Sequence, residues 1–113
     1  MEENIRCILV EPNKLPKIIE TSQKLDNLQK IVDGYIECIN IDKDAILICN
    51  EEGKIRGLRK NRRVGNDIIV GSFLIVGDDY DNECFKSLSS KQVEKYMKFF
   101  DKKSIIKNKE NER

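Results

Sequence analysis

Six basic side chains fall within ten residues: Lys54, Arg56, Arg59, Lys60, Arg62 and Arg63, with no acid among them. Arginine forks match phosphate oxygens two at a time, so a run of this kind points to anion binding. Glycines at 53, 57 and 65 punctuate the run and let backbone N–H groups approach a ligand as further donors. Arg59 and Arg62 are the expected phosphate contacts, with Lys60 and Arg63 beside them and Arg56 completing the set. Asn50 and Asn61 could hydrogen-bond a base edge or a ribose; capping of a turn by their own side chains is the competing reading. Tyr35 could stack on a base, or stand half-buried with its hydroxyl in water. The run lacks the G-x-x-x-x-G-K-[ST] order of a Walker loop. A solvated loop paired with Glu51, Glu52 or Asp67 competes with the whole phosphate reading.

Elsewhere the chain offers little reactive chemistry. It contains no histidine, which removes the commonest general base near neutral pH and excludes Ser-His-Asp and Cys-His arrangements. Cys7, Cys38, Cys49 and Cys84 form no C-x-x-C pair, and three sit in apolar runs where cysteine packs as a small hydrophobe. All four are expected to be reduced, with two disulfides in an oxidising compartment as the competing reading. Glu51 and Glu52, or Asp78 and Asp79, are adjacent pairs that a strand would point to opposite faces, so neither makes a dyad. The acidic stretch 78–83 lacks the EF-hand order and reads as a solvated turn. It could also meet the cationic stretch, within one chain or across a symmetric interface. No metal, no cofactor and no catalysis are expected.

A chain of 113 residues suits a single domain. Charged residues make up 36% of it, yet the formal net charge is only +1. A charge-driven partner must therefore act through a local patch, and general nucleic-acid binding is disfavoured. The acidic residues at the start have neither the basic region nor the apolar core of a signal peptide. No apolar run approaches the ~18 residues of a membrane span, so a cytoplasmic protein of a bacterial host is expected.

The elements that must position the basic run can be read from pattern. Residues 5–10 form a first strand, ended by the turn that Pro12 and Pro16 bracket; 17–20 form a short returning strand. Leu25, Leu28, Ile31 and Val32 give a helical stripe over 22–32, with Ser22 as N-cap and Gly34 as left-handed C-terminal cap. Residues 35–41 and 45–49 read as a hairpin around Asp42-Lys43-Asp44. The basic stretch follows as a loop. Residues 67–76, rich in β-branched side chains, read as one long central strand, in which Gly71 marks a bulge or a close backbone approach. Ser89 and Gln92 form a capping box, with Leu88 and Val93 as its hydrophobic staple; Val93, Tyr96, Met97 and Phe100 supply the buried face of the helix that follows. The fold class is thus α+β: one small domain over 1–102, with a mostly antiparallel sheet of about five strands and two helices packed on one face. Residues 103–113 read as a polar, disordered tail.

Several segments taken together resemble a known family. They are 5–12 (I-R-C-I-L-V-E-P), 32–37 (V-D-G-Y-I-E), 50–54 (N-E-E-G-K), 58–62 (L-R-K-N-R), 69–73 (I-V-G-S-F) and Ser87-Leu88. Their order and spacing resemble the domain of unknown function 3846 over nearly the whole chain. The family pattern often has proline at the position of Lys60, so the loop here is more basic. The resemblance brings no activity; it implies a small compact product of phages, plasmids and their bacterial hosts. In that setting the expected function is a homo-oligomeric binding protein. It would sequester a nucleotide-like phosphorylated signal of host immunity, an anti-defence role that needs affinity and no chemistry. The alternative is an inhibitor or adaptor that docks on a host protein through the basic loop or a sheet edge.

Overall fold

The computed structural model describes residues 3–107. Its strands are β1 (Asn4–Val10), β2 (Lys17–Ser22), β3 (Ile36–Asp42), β4 (Ala45–Asn50), β5 (Lys60–Val64), β6 (Asp67–Val70), β7 (Phe73–Asp79) and β8 (Cys84–Lys86). Its helices are α1 (Leu25–Val32) and α2 (Ser90–Phe99), followed by a 3-10 turn at Lys102–Ser104. Five strands run β2-β1-β7-β4-β3 in one sheet, to which β8 adds by pairing with β7; β5 and β6 form a separate hairpin. Every pairing is antiparallel. The α+β class, the antiparallel sheet and the two helices match the sequence reading.

The two helices do not share a face. Ile5, Cys7, Ile46, Ile48, Leu74 and Val76 pack with Leu28 and Val32 of α1. Their alternate neighbours Ile8, Val10, Leu47, Phe73 and Ile75 pack with Tyr96 of α2, with Phe100 at its C-cap and with Ile69 of β6. Successive strand side chains point to opposite sides, so α1 covers one face while α2 and the β5–β6 hairpin cover the other. This corrects the one-face expectation. The physical sign was already present: β4 is buried at every position, as an uninterrupted apolar strand must be when both faces are covered.

The run 67–76 is two strands, not one. It breaks at Gly71, whose φ is +74°, and its halves join different sheets. A Cβ on Gly71 would lie 2.8 Å from Leu58 Cδ1, and its N–H donates to the Arg59 carbonyl over 2.7 Å. The close backbone approach is therefore real, and it turns the chain. The basic stretch, expected as loop, is partly strand, with β5 starting at Lys60.

Helix α1 starts later than expected. Ser22 lies in β2, and Lys24 occupies the N-cap with no side-chain cap bond. The Asn27 side chain fixes the start instead, donating to Thr21 Oγ1 at 2.6 Å and the Ser22 carbonyl at 2.7 Å. At the other end the left-handed residue is Asp33, φ +65°, rather than Gly34; the Gly34 N–H closes back to the Gln29 carbonyl at 2.9 Å. A Cβ on Gly34 would lie 2.7 Å from Asn50 Nδ2, which is why a glycine follows the cap. Helix α2 begins as read: Ser89 Oγ accepts from the Gln92 N–H at 3.1 Å, and Gln92 Oε1 accepts from the Ser89 N–H at 2.8 Å.

The expected tail is tied to the domain as far as Ile106. Ser104 Oγ accepts from Arg62 Nε at 2.6 Å, and the Ile106 N–H donates to the Asn61 carbonyl at 3.2 Å. The rest of that expectation, 108–113, lies outside the described residues. Among the described residues no helix is long and apolar enough to cross a membrane.

Candidate ligand-binding site

The geometry of β5 sorts the basic residues into two groups. Lys60 pairs with Val70, Arg62 with Ile69 and Arg63 with Ile68, and the register shifts between Lys60 and Arg62. Asn61 is the extra residue of a bulge. As a result Asn61 and Arg62 both point into the protein, whereas Lys60 and Arg63 both face outward.

Arg62 is fully buried. Its Nε donates to Ser104 Oγ at 2.6 Å, one terminal nitrogen to Asn61 Oδ1 at 2.8 Å, and the other to the carbonyls of Lys14 at 2.7 Å and Phe100 at 2.9 Å. Burial lowers its pKa, opposed by the charge of Asp101; a guanidinium stays protonated through such a shift. One planar cation thus joins the proline turn after β1, the end of α2 and the 3-10 turn. Asn61, also fully buried, donates to the Val10 carbonyl at 2.9 Å and the Gly71 carbonyl at 2.7 Å. Both were expected on a ligand; both instead pin the hairpin to the sheet, because polar groups this deeply buried must find internal partners.

Asn50 has a similar inward role. Its Nδ2 donates to the carbonyls of Val32 and Asp33, each at 3.0 Å, and its Oδ1 accepts from the Glu52 N–H at 2.7 Å. The Arg56 guanidinium also donates to the Asp33 carbonyl and makes an ion pair of 3.0 Å with the Asp33 carboxylate. Together they satisfy carbonyls left open at the negative end of α1. The turn-capping alternative for Asn50 holds, extended to a helix end. Tyr35 is 64% exposed and does not line the cleft described next.

The outward group lines an open cleft of about 740 Å³. Lys54, Arg59, Lys60 and Arg63 supply its cations, Asp67 its carboxylate and Leu58, Ile68 and Val70 its apolar wall; Gly57 and Asn66 complete it. Lys54 hydrogen-bonds Asp67 and thereby lowers the aspartate's pKa. Of the residues singled out from sequence, then, Arg59, Lys60 and Arg63 come together at the cleft and Asn50 lines the smaller cavity beside it, while Arg62, Asn61, Arg56 and Tyr35 join neither. Lys54 and the apolar wall were missed as site residues. Alternation was the available signal: Ile68 and Val70 flank the inward Ile69, so they had to share a face with Lys60 and Arg63 once β6 was seen as hairpin rather than central strand.

A second, smaller cavity of about 210 Å³ adjoins the cleft, lined by Glu37, Glu51, Cys49 and Ile55 among others. Lys54, Asp67, Ile68 and Val70 line both. Glu37 stands directly across from Cys49 in the β3–β4 register. Burial, followed by the charges of Glu37 and other neighbours, pushes the Cys49 thiol up to about 11. It is a protonated, packed group rather than a nucleophile at neutral pH.

No curated protein and no solved structure matches the chain. The family model described as Domain of unknown function (DUF3846) matches residues 5–101, and since this is most of the chain, the protein belongs to that family.

Proposed function

We propose that this protein binds a phosphorylated small molecule in the cleft beside β5 and holds it without turning it over. One observation carries the reading: Lys54, Arg59, Lys60 and Arg63 converge on one open cleft whose other wall is apolar. A cleft of this size suits a small-molecule ligand, with a few charged groups to orient it and apolar surface to hold it. Arg59, Lys60 and Arg63 are the residues for phosphate oxygens. Leu58, Ile68 and Val70 offer a surface for a ring. A chain without histidine is better equipped for affinity than for proton transfer near pH 7. In the mobile-element setting that the family resemblance implies, a ligand of this chemistry is a nucleotide signal of host defence, and the protein is its sponge in the host cytoplasm, acting as a homo-oligomer.

Native mass spectrometry with a panel of cyclic dinucleotides, cyclic trinucleotides and ADP-ribose derivatives tests this. The wild type is expected to retain one panel member unmodified, and Arg59→Ala with Lys60→Ala and Arg63→Ala to release it. Turnover of the retained compound, or equal retention by the triple variant, would remove the reading.

One feature favours a second reading. Ile55 is 89% exposed between Lys54 and Arg56, an apolar tip flanked by cations of the kind that docks on a host protein. Recovery of one stoichiometric host protein by the wild type, lost in Ile55→Asp, would shift the assignment to an inhibitor or adaptor.

A further inference from the structure

We infer, building on the ligand-binding reading above, that the site is bipartite and selects a phosphorylated heterocycle carrying an amino group. The outer cleft and the inner cavity are continuous through four shared residues, Lys54, Asp67, Ile68 and Val70. Their polarity is opposite. Beyond the shared pair, the outer part adds Arg59, Lys60 and Arg63, whereas the inner part adds Glu37 and Glu51 and no further cation. The Lys54–Asp67 ion pair stands at the boundary, and Ile68 and Val70 form a floor common to both.

Size and chemistry divide the ligand accordingly. A cavity of about 210 Å³ is too small for a whole nucleotide but admits a ring, since an engineered cavity of roughly 150 Å³ takes up benzene. Ionised carboxylates accept hydrogen bonds and donate none. A ring entering this cavity is therefore favoured when its edge carries N–H donors, and disfavoured when that edge presents only acceptors. Phosphate oxygens face the opposite requirement and belong with the arginines outside. Lys54 can turn from Asp67 to a phosphate as the ring's amino group takes its place on the aspartate. An amphoteric ligand fits both halves; a plain polyanion fits one.

The test is isothermal titration of the full chain with two pairs of ligands that differ only in an amino group: GMP against IMP, and AMP against purine riboside monophosphate. Inorganic pyrophosphate serves as the ring-free probe. In at least one pair the amino member is expected to bind about tenfold tighter, the loss of one charge-assisted hydrogen bond. That preference should disappear in the variant carrying Glu37→Ala and Glu51→Ala, with pyrophosphate bound no more weakly than by the wild type, since removing two nearby carboxylates favours an anion. Both residues are exposed, and the comparison of pairs on the wild type stands even where the variant does not fold. Equal binding within both pairs, while Arg63→Ala still weakens all of them, would overturn the bipartite site and leave the anion cleft in place. No binding of any nucleotide or of pyrophosphate would overturn both.

Discussion

Arg62 and Arg63 are neighbours of equal charge with opposite surroundings. Arg62 is buried and makes four hydrogen bonds, to Lys14, Asn61, Phe100 and Ser104; Arg63 faces outward into an open cleft. A strand alternates its side chains, and the bulge at Asn61 sets which of them go in. The difference teaches that a basic run is not one site. The same six cations divide between holding the fold together and lining an open cleft, and within β5 the backbone register tells them apart.

The strongest way to break this contrast is Arg62→Ala. It opens a cavity and strips partners from the carbonyls of Lys14 and Phe100, from Ser104 and from Asn61. The expected cost is about 3 to 5 kcal/mol in urea denaturation. A loss below about 1 kcal/mol would mean that the buried network is not what secures the hairpin. Arg62→Lys should recover only part, since an ammonium cannot reproduce the planar fork.

Next in size is Gly71→Ala, which tests how the hairpin leaves the sheet. The substitution places a Cβ in a left-handed conformation and against Leu58. It should lower stability by about 1 to 3 kcal/mol. Because the turn also sets the position of the cleft wall, ligand affinity should fall with it. Wild-type stability and affinity in this variant would show that the hairpin is positioned from elsewhere.

A smaller effect separates outer ion pairs from the inner network by pH. Asp42 is held below its ordinary value of 3.8 first by the hydrogen bond from Lys95, with the Lys43 N–H and Tyr96 also donating. Asp67 is held below 3.8 first by the hydrogen bond from Lys54. A depressed carboxylate stabilises the fold fully above its unfolded pKa, and that contribution is lost as pH falls through the folded value. Melting temperature should therefore hold steady above about pH 5 and decline below about pH 4. Asp67→Asn should flatten part of the decline and change little at pH 7, as expected of an exposed pair. Asp79, held down first by the hydrogen bond from Asn82, adds to the same limb; the hydrogen bonds of Arg62 do not titrate in this window, so the acid limb reports these carboxylates and not the inner network. An acid limb unchanged in Asp67→Asn would show that its pairing with Lys54 does not persist in solution.

Much of the fold was legible in the sequence. The capping box of α2, the β3–β4 hairpin and the first strand each carry local signals: S-x-x-Q before an apolar stripe, a polar tight turn, and a proline stop. The failures have a common cause, which is that long-range contacts override local pattern. Residues 67–76 look like one strand because Gly71 signals a close approach locally, but nothing local says that Leu58 makes it or that the chain leaves the sheet there. Ser22 is a good N-cap by type, but β1 pairs with it and extends β2 through it. Asn50, Asn61 and Arg62 are polar and so read as surface, although each fills a hydrogen-bonding need created by distant chain: a helix end, a turn and the last helix. The site was legible in part. Charge alone brings Arg59, Lys60 and Arg63 forward but cannot separate them from Arg56 and Arg62; that separation, like the wall of Leu58, Ile68 and Val70, required the fold.

The most direct measurement compares ligand retention with stability across β5. Wild type, Arg63→Ala and Arg59→Ala with Arg63→Ala would each be examined by native mass spectrometry with the nucleotide panel and by thermal melting. Loss of the exposed Arg63 side chain should change stability by no more than about 0.5 kcal/mol. The expected result is an unchanged melt with stepwise loss of the retained nucleotide. Undiminished retention by the double variant would contradict the division of β5 into a structural inner face and a ligand-binding outer one.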